Sequence, residues 1–368
     1  MTGDPGLASD RLTVVQSLSV SQFRNIESVE LLPSPGLTVV RGDNGAGKTS
    51  LLEALGYCSL LKSFRGVPRE ALVRHGHDRA EIVCNLMQGS RRVDIEISLV
   101  TARRDHPLLN RQRVGGAKDL VEALRTTLFT PDDLDLVKGA PGGRRDLLDD
   151  AVLATHPRLG AERANLDRVL RHRNSLLRQL GGRLSGDAGT TLDVWDERLV
   201  AAGTRVAEAR KDLVVDLQPF AAEAFRALAG ADGELELCYE SSYEGDLVSA
   251  LLLARPDDLR RQVTTVGPQR DELALSVSGL DARTRLSQGR QRCVALALRL
   301  GVHRHVTAVT GSVPVLLLDD TFSELDERTA RALVRELPRG QALLTTAGIL
   351  PAGAAPDLVL TIEGGRLL

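Results

Sequence analysis

The chain has 368 residues, of which 42% are hydrophobic and 26% charged, enough for one large or two moderate globular domains. Its formal net charge of −2 argues against a protein that coats nucleic acid by bulk positive charge, although a local basic face stays open. Four scattered cysteines, Cys58, Cys84, Cys238 and Cys293, show no zinc-ligand spacing and fit a reducing cytosol, so a cytoplasmic protein is expected.

The first third of the chain predicts strands and one helix. Residues 1–10 are small and polar, which predicts a flexible tail and no signal peptide. Strands are expected at 12–20 and 37–40, and a hairpin at 81–87 with 93–99, where apolar and polar residues alternate. No apolar run approaches the ~20 residues that span a bilayer, so no membrane partner is expected.

A phosphate-binding loop follows the strand at 37–40 and opens a helix predicted at 49–56. Its residues are Gly42, Asp43, Asn44, Gly45, Ala46, Gly47, Lys48 and Thr49, followed by Ser50. Backbone N–H groups and the helix N-terminus would hold the phosphates of ATP. Lys48 would reach the β- and γ-phosphates, and Thr49 would offer its hydroxyl to Mg²⁺. A glycine-rich turn that binds nothing is the alternative.

The middle third predicts helices. Residues 157–180 are rich in Arg and Leu at helical spacing, a Gly/Ser segment covers 181–190, and apolar residues then recur every three or four positions from Trp195 to Leu217. Two facing helices joined by a flexible turn would make an antiparallel arm. An ordinary helical subdomain is the alternative.

The last third returns to short apolar strands, at 273–277, 315–318, 342–345 and 358–362, with helices at 286–300 and 327–337. This alternation predicts a buried, largely parallel sheet. We therefore predict an α/β head formed by residues 11–135 and 263–368, with a helical insertion at 136–262.

Two further motifs concern phosphate chemistry. The strand at 315–318 ends in Asp319, expected to hold Mg²⁺ through water, and Asp320, expected to activate the attacking water. Ser287, Gln288 and Gly289 begin a helix, where backbone N–H groups and a hydroxyl can hold a second phosphate. Because a phosphate loop is already present, this site suggests contact from another subunit. Ser323–Asp326 supports that interpretation, and a plain helix cap is the alternative.

Together these motifs resemble the ABC-type ATPases of the SMC class, and further stretches narrow the resemblance to the RecF family of bacterial DNA repair proteins. Those stretches are Phe23-Arg24-Asn25, Leu51-Leu52-Glu53-Ala54, Lys62-Ser63-Phe64-Arg65, Thr130-Pro131-Asp132-Asp133-Leu134, Trp195-Asp196 and Gly267-Pro268-Gln269-Arg270-Asp271. The match runs from about residue 12 to near the end. Gln269, Arg290 and Cys293 depart from the family pattern, and the Gln loop of transporters is not placed.

The resemblance implies a P-loop ABC-type ATPase head with a short SMC-like arm. It implies an ATP-dependent homodimer, with Lys48, Thr49 and Asp319 of one copy and Ser287 and Gly289 of the other around ATP and Mg²⁺. It further implies binding to double-stranded DNA and single-strand/double-strand junctions, and work with RecR and RecO to load RecA at gaps. Roles in replication, recombination, repair and the SOS response follow, with slow DNA-dependent ATP hydrolysis as a release timer.

Arginines and one lysine are the candidates for DNA phosphate contact. They are Arg24, Lys62, Arg65, Arg144 and Arg145, with Arg163, Arg168, Arg171 and Arg173 of the helical series. A solvated surface side chain is the alternative for each. Aromatic residues make up only 3%, which favours duplex backbone contact over base stacking. Two rival functions are a transporter-type ATPase subunit and a scaffold that binds ATP without using its hydrolysis.

Overall fold

The computed structural model describes residues 12–101, 106–182, 188–230 and 233–368. In chain order the strands are β1 (Thr13–Phe23), β2 (Ile26–Leu31), β3 (Leu37–Arg41), β4 (Arg79–Gln88), β5 (Arg91–Val100), β6 (His106–Leu109), β7 (Gln112–Arg113), β8 (Thr126–Phe129), β9 (Leu235–Glu240), β10 (Glu272–Val277), β11 (Leu280–Asp281), β12 (Val315–Asp319), β13 (Ala342–Thr346), β14 (Leu358–Glu363) and β15 (Arg366–Leu367). The helices are α1 (Lys48–Leu60), α2 (Ala117–Ala123), α3 (Asp135–Lys138), α4 (Pro141–Thr155), α5 (Pro157–Leu180), α6 (Ala188–Ala229), α7 (Leu247–Arg261), α8 (Ala282–Arg285), α9 (Gln288–Thr310) and α10 (Glu327–Glu336). The predicted tail at 1–10 and residues 183–187 of the predicted turn lie outside the described ranges.

The chain divides into two compact units. The first comprises Met1–Leu134, Phe220–Asp232 and Ser287–Leu368, and the second comprises Asp135–Pro219 and Gly233–Leu286. The boundary predicted between residues 262 and 263 is therefore wrong. Strand β10 pairs with β9, and this pairing assigns the segment around it to the second unit, up to Leu286.

A largely parallel sheet forms the centre of the first unit, as predicted. Its strand order is β15-β14-β3-β13-β12-β8, and only the edge pair β14–β15 is antiparallel among the described strands. Every residue of β12 and β13 is buried, which is typical of a parallel sheet covered on both faces. The register pairs Thr345 with both Val40 and Asp319, so the carboxyl ends of β3, β13 and β12 meet in one row.

An antiparallel sheet in the order β2-β1-β4-β5-β6-β7 completes the first unit. It contains the predicted hairpin, in which Ile82 pairs with Ile97. Helix α1 contacts strands of both sheets and buries Leu51, Leu52 and Leu55 in the same core as those strands. The helix that follows the phosphate loop is therefore packed against both sheets, which positions the loop at the carboxyl ends of the parallel strands.

Strand β10 does not join the parallel sheet, contrary to the prediction for 273–277. It lies between β11 and β9 in an antiparallel sheet of the second unit. The physical reason is its period of two: Leu273, Leu275 and Val277 are buried while the residues between them are half-exposed. Only one face of β10 is covered. Its partner β9, at Leu235–Glu240, lies within the insertion predicted at 136–262, which is therefore not wholly helical.

In the second unit, α5 and the part of α6 up to Pro219 run antiparallel, as predicted. Ion pairs of Arg173 with Asp196 and of Glu162 with Arg205 show this direction. Their apolar seams also pack against Leu247 and Leu251 of α7. This third helix favours the alternative of an ordinary helical subdomain.

Arg173 of this subdomain is a structural residue. Its side chain is fully buried, and it donates to Asp196 at 2.6 Å, to Asp258 at 2.7 Å and to Thr264 at 2.9 Å. Buried charges are tolerated when they are paired and hydrogen-bonded in this way. The prediction that Arg173 contacts DNA is therefore wrong.

Within the described ranges, no helix has both the length and the apolar character that crossing a membrane requires.

His303 of α9 gives the first unit a pH dependence. Its ring is 1% exposed, and burial lowers the pKa of His303 from 6.5 to about 4. As the pH falls, the unfolded chain binds a proton on this ring before the folded chain does, so stability is complete above about pH 6.5 and falls towards pH 4. The loss should reach about 3 kcal/mol.

Urea unfolding at pH 7 and pH 4.5 checks this expectation. His303→Gln, which can keep a hydrogen bond to Thr127 but does not titrate, should lose less stability than the wild type over that interval. Exposed His75→Gln serves as the control and should behave like the wild type. Equal losses in the wild type and His303→Gln would contradict the assignment.

Candidate nucleotide-binding site

The phosphate loop lies between β3 and α1 and needs glycine for its shape. Gly47 has φ +113°, a left-handed conformation that favours glycine, and it is the last residue before α1. A Cβ on Gly42 would stand 2.3 Å from the backbone oxygen of Ile362. Among the described residues, no side chain caps α1 and no acidic residue lies in its first turn. The N–H groups of that turn can therefore hold an anion.

Lys48 and Asn25 brace this loop. The buried Lys48 ammonium donates to the carbonyls of Gly42 at 2.6 Å and Asp43 at 2.9 Å, which holds it over the loop. Asn25 donates to the Gly45 carbonyl at 2.7 Å and accepts from Ser50 Oγ at 2.7 Å. Sequence reasoning did not assign Asn25 a role. Its signal was its place in the Phe23-Arg24-Asn25 stretch.

Asp319 lies opposite Thr49, as the sequence predicts. Its Oδ1 accepts from Thr49 Oγ1 at 2.9 Å and from Thr345 Oγ1 at 2.7 Å. Burial raises the pKa of Asp319, while the hydrogen bonds from Thr345 and Thr49 act in the opposite direction. The sequence analysis assigned Thr345 no role, so its part in orienting Asp319 was missed.

The hydroxyl of Thr49 and the carboxylate of Asp319 fit Mg²⁺. Both are hard oxygen donors, and Mg²⁺ is commonly bound by one or two protein oxygens together with phosphate and water. In the described part of the chain, no cluster of three or more His, Cys, Asp or Glu side chains could hold a metal ion. Thr49 and Asp319 therefore supply only part of a Mg²⁺ coordination shell, and phosphate oxygens would supply further ligands.

Asp320 adopts a strained backbone beside this pair. Its φ is +44°, and its N–H donates to the backbone oxygen and to Oγ1 of Thr345, each at 3.1 Å. Residues in such conformations persist where their surroundings hold them, commonly at functional sites. Asp320 borders the same cavity as Lys48 and Thr49.

That cavity has a volume of about 800 Å³, within the range of small-molecule sites. It extends from the phosphate loop to the segment before β4, where Arg74 and His77 line it. Arg24 and Arg65, two of the DNA candidates, also line it. Arg24 is bound to the buried Glu53 by two hydrogen bonds, at 2.8 and 3.1 Å. The structure thus places both arginines at the nucleotide cavity.

Ser287 caps α9, as the sequence allows. Its Oγ accepts from the N–H of Arg290 at a long 3.4 Å, and Ser287, Gln288 and Gly289 are exposed. None of these three borders the cavity around Lys48 within the described residues. Arg292 of the same helix donates to the backbone and side chain of Glu324, each at 2.5 Å, which ties α9 to the loop after Asp320.

The other DNA candidates differ in availability. Arg144 is buried, pairs with Glu272 through two hydrogen bonds of 2.7 Å, and donates to two carbonyls, so the prediction of a DNA contact for it is wrong. Arg163 pairs with Asp149 and Asp167. Arg145 is half-buried and donates to the Asp271 carbonyl, whereas Lys62, Arg168 and Arg171 are exposed.

Comparison with known proteins supports the arrangement. Residues 14–345 match the family described as the RecF/RecN/SMC N-terminal domain. DNA replication and repair protein RecF of Streptomyces avermitilis is 40% identical over 351 residues, covering 91% of this chain and 93% of that protein. The RecF protein of Frankia alni is also 40% identical, over 90% of this chain and 92% of its own length.

Solved structures agree in fold. The recombination mediator protein RecF with ATP, from the RecFOR pathway, superposes with a TM-score of 0.88 at 25% identity, over 97% of both chains. The Smc head domain of Pyrococcus furiosus superposes with a TM-score of 0.57 at 16% identity, over 96% of this chain and 95% of that one. The α/β head predicted from the sequence is therefore confirmed as an SMC-type fold.

Proposed function

The chain belongs to the RecF family of DNA replication and repair proteins, and on that premise we propose that it is an ATP-dependent DNA clamp. One observation carries the proposal: the two segments that are predicted to hold phosphate do not border the same cavity. Lys48, Thr49 and Asp319 surround one cavity, whereas Ser287–Gly289 are exposed and do not border it. Two copies of the chain would complete two such sites around two ATP molecules.

The cavity supplies the cis half of each site. Lys48 Nζ, now held by two loop carbonyls, would donate to β- and γ-phosphate oxygens, and the N-terminus of α1 would bind the same phosphates. Mg²⁺, held by Thr49, Asp319 and phosphate oxygens, would neutralise phosphate charge. The RecF structure that contains ATP supports this choice of nucleotide.

The exposed start of α9 supplies the trans half. ATP favours a dimer only to the extent that it binds the dimer more tightly than the monomer. A γ-phosphate that contacts Ser287 and Gly289 of the second copy provides that difference. The contact of Arg292 with Glu324 joins this surface to the loop that follows Asp320.

Hydrolysis would release the dimer. Asp320 would accept a proton from the attacking water, a role supported by its position on the border of the cavity that Thr49 also lines. Its side chain is one methylene shorter than the Glu usual in fast ABC ATPases, so turnover should be slow, and the resemblance to RecF implies that it depends on DNA. Such a protein would remain bound for the lifetime of its ATP.

DNA would be the clamped ligand, as duplex or as a single-strand/double-strand junction. The exposed Lys62, Arg168 and Arg171 and the half-buried Arg145 are the remaining phosphate-contact candidates outside the nucleotide cavity. RecR and RecO are proposed partners, because a solved relative is described within the RecFOR pathway. Loading of RecA at gaps in the cytoplasm, and through it the SOS response, would be the outcome.

Asp320→Asn tests the clamp and its timer together. The variant should bind ATP and duplex DNA like the wild type, hydrolyse ATP at least about 100-fold more slowly, and dissociate from DNA correspondingly later, because the water-activating base is lost. Single-turnover hydrolysis and DNA dissociation in the presence of ATP measure the two effects. Exposed Asp357→Asn is the control, because an asparagine oxygen can still accept the hydrogen bond that Leu37 N–H donates to Asp357.

Unchanged turnover in Asp320→Asn would favour a scaffold that binds ATP without using its hydrolysis. Loss of turnover without longer retention on DNA would contradict the release timer. Binding of duplex that does not weaken as salt rises would contradict phosphate contact.

A further inference from the structure

We infer that helices α5 and α6 carry a second nucleic-acid site, which takes an unpaired nucleobase together with its flanking phosphates. The site is a shallow cavity of about 370 Å³ in the second unit, bordered by Arg168, His172, Trp195 and Arg198. It deepens the proposed function, on which it rests, because it would read the single-stranded side of a junction. We name this set of four residues the Trp195 platform.

Two rings of the platform are stacked, and a guanidinium group lies over one of them. The rings of His172 and Trp195 lie 4.9 Å apart with an angle of 13° between their planes. The guanidinium carbon of Arg198 lies 4.9 Å from the centre of the indole ring. Trp195 is half-buried and packs against the helical core, so the stack has a fixed position, while His172 and Arg198 are exposed. An exposed, preformed stack of this kind can be extended by one flat ring.

Unpaired positive charge surrounds the stack. Throughout the described part of the chain, neither Arg168 nor Arg198 forms an ion pair, and the hydrogen-bond partner of Arg168 is the neutral Asn165, at 3.1 Å. Three other arginines of the same two helices are neutralised: Arg163 by Asp149 and Asp167, Arg173 by Asp196 and Asp258, and Arg205 by Glu162. Arg168 and Arg198 therefore bring two guanidinium groups without an acidic partner to the platform.

These features favour nucleic acid over an acidic peptide. Guanidinium groups match phosphate as well as carboxylate, but only nucleic acid also offers flat rings for the stack. Bases within a duplex are already stacked on both faces, whereas a base in a single strand is free to add to the platform. The partner is therefore a single strand or the overhang of a junction.

The platform contains the single tryptophan of the chain, so its own fluorescence reports binding. Titration with oligothymidylate should quench Trp195 emission, and a blunt duplex of equal length should quench it less. A duplex with an overhang should bind more tightly than the blunt duplex. Arg198→Gln should weaken binding of the overhang duplex about tenfold, since one base stack is lost. Its binding of blunt duplex with ATP should be unchanged.

Two variants control for the fold and for general charge. Arg205→Gln removes an exposed arginine of the same helix that is already paired with Glu162, and it should bind the overhang duplex like the wild type. Trp195→Phe keeps a flat ring and should retain most of the affinity, whereas Trp195→Leu should lose it. Thermal unfolding of each variant shows whether the helices remain intact.

Several outcomes would overturn the inference. Quenching by polyglutamate but not by oligothymidylate would make the platform a surface for acidic peptides, and quenching by ATP alone would make it a second nucleotide site. Equal affinity of the wild type and Arg198→Gln for the overhang duplex would show that the platform does not bind nucleic acid. In each case ATP-dependent binding of blunt duplex could persist, which separates failure of the platform from failure of the clamp.

Discussion

Lys48→Ala should reduce ATP affinity at least about 100-fold, because under the proposed function the ammonium would make charge-assisted hydrogen bonds to two phosphates, each worth about 1.5–3 kcal/mol. Lys48 Nζ lies within 2.9 Å of two loop carbonyls. Lys48 is the first residue of α1 and lines the cavity. Isothermal titration with ATP and Mg²⁺ measures the loss.

Lys48→Arg and Lys62→Ala sharpen this test. Arginine keeps the charge but is longer and planar, so it should also lose most of the affinity if geometry matters as much as charge. Lys62 is exposed just beyond the end of α1, and its replacement should leave ATP affinity unchanged. Near-normal affinity in Lys48→Ala would mean that ATP binds elsewhere.

Ser287→Arg should abolish the ATP-dependent dimer while leaving ATP binding intact. Ser287 is exposed, and a Cβ built on Gly289, two residues further on, would have no neighbour within 4 Å among the described residues, so one chain accommodates the larger side chain. The cap hydrogen bond lost from α9 is already long at 3.4 Å, and its removal should cost about 1 kcal/mol or less. In the dimer, however, the arginine would occupy the place of the second copy's γ-phosphate.

Ser287→Ala is the matched control for that variant. It removes the same hydroxyl and the same cap without adding bulk, so it should weaken the dimer but not abolish it. If both variants dimerised like the wild type, the Ser287–Gly289 segment would be only a helix cap, which is the alternative that the sequence left open.

The parts of the site that are contiguous in sequence could be predicted. The shape of the loop from Gly42 to Thr49 could be predicted because its glycines, its lysine and the start of the helix follow one another in the sequence. The orientation of Asp319 could not be predicted, because it depends on Thr345, which is 26 residues away and becomes its neighbour only through the register of β12 and β13.

The arginines show the same limit more strongly. Arg144 and Arg173 looked like surface cations of basic helices. The acidic partner of Arg144 lies 128 residues away, and the two acidic partners of Arg173 lie 23 and 85 residues away. Pairing with residues distant in the sequence decides whether an arginine is buried in an ion pair or free to contact DNA. The periodicity of the sequence does not reveal such pairing. The low aromatic content likewise argued against base stacking, although one tryptophan stacked beside unpaired arginines is enough to form a platform.

The molecular mass in solution, with and without ATP and Mg²⁺, tests the clamp most directly when the wild type is compared with Ser287→Arg. We expect a wild-type monomer whose mass doubles with ATP, and a variant that binds ATP and stays a monomer. A wild type that remains a monomer with ATP bound would contradict the shared nucleotide site and leave a single-subunit switch or scaffold in its place.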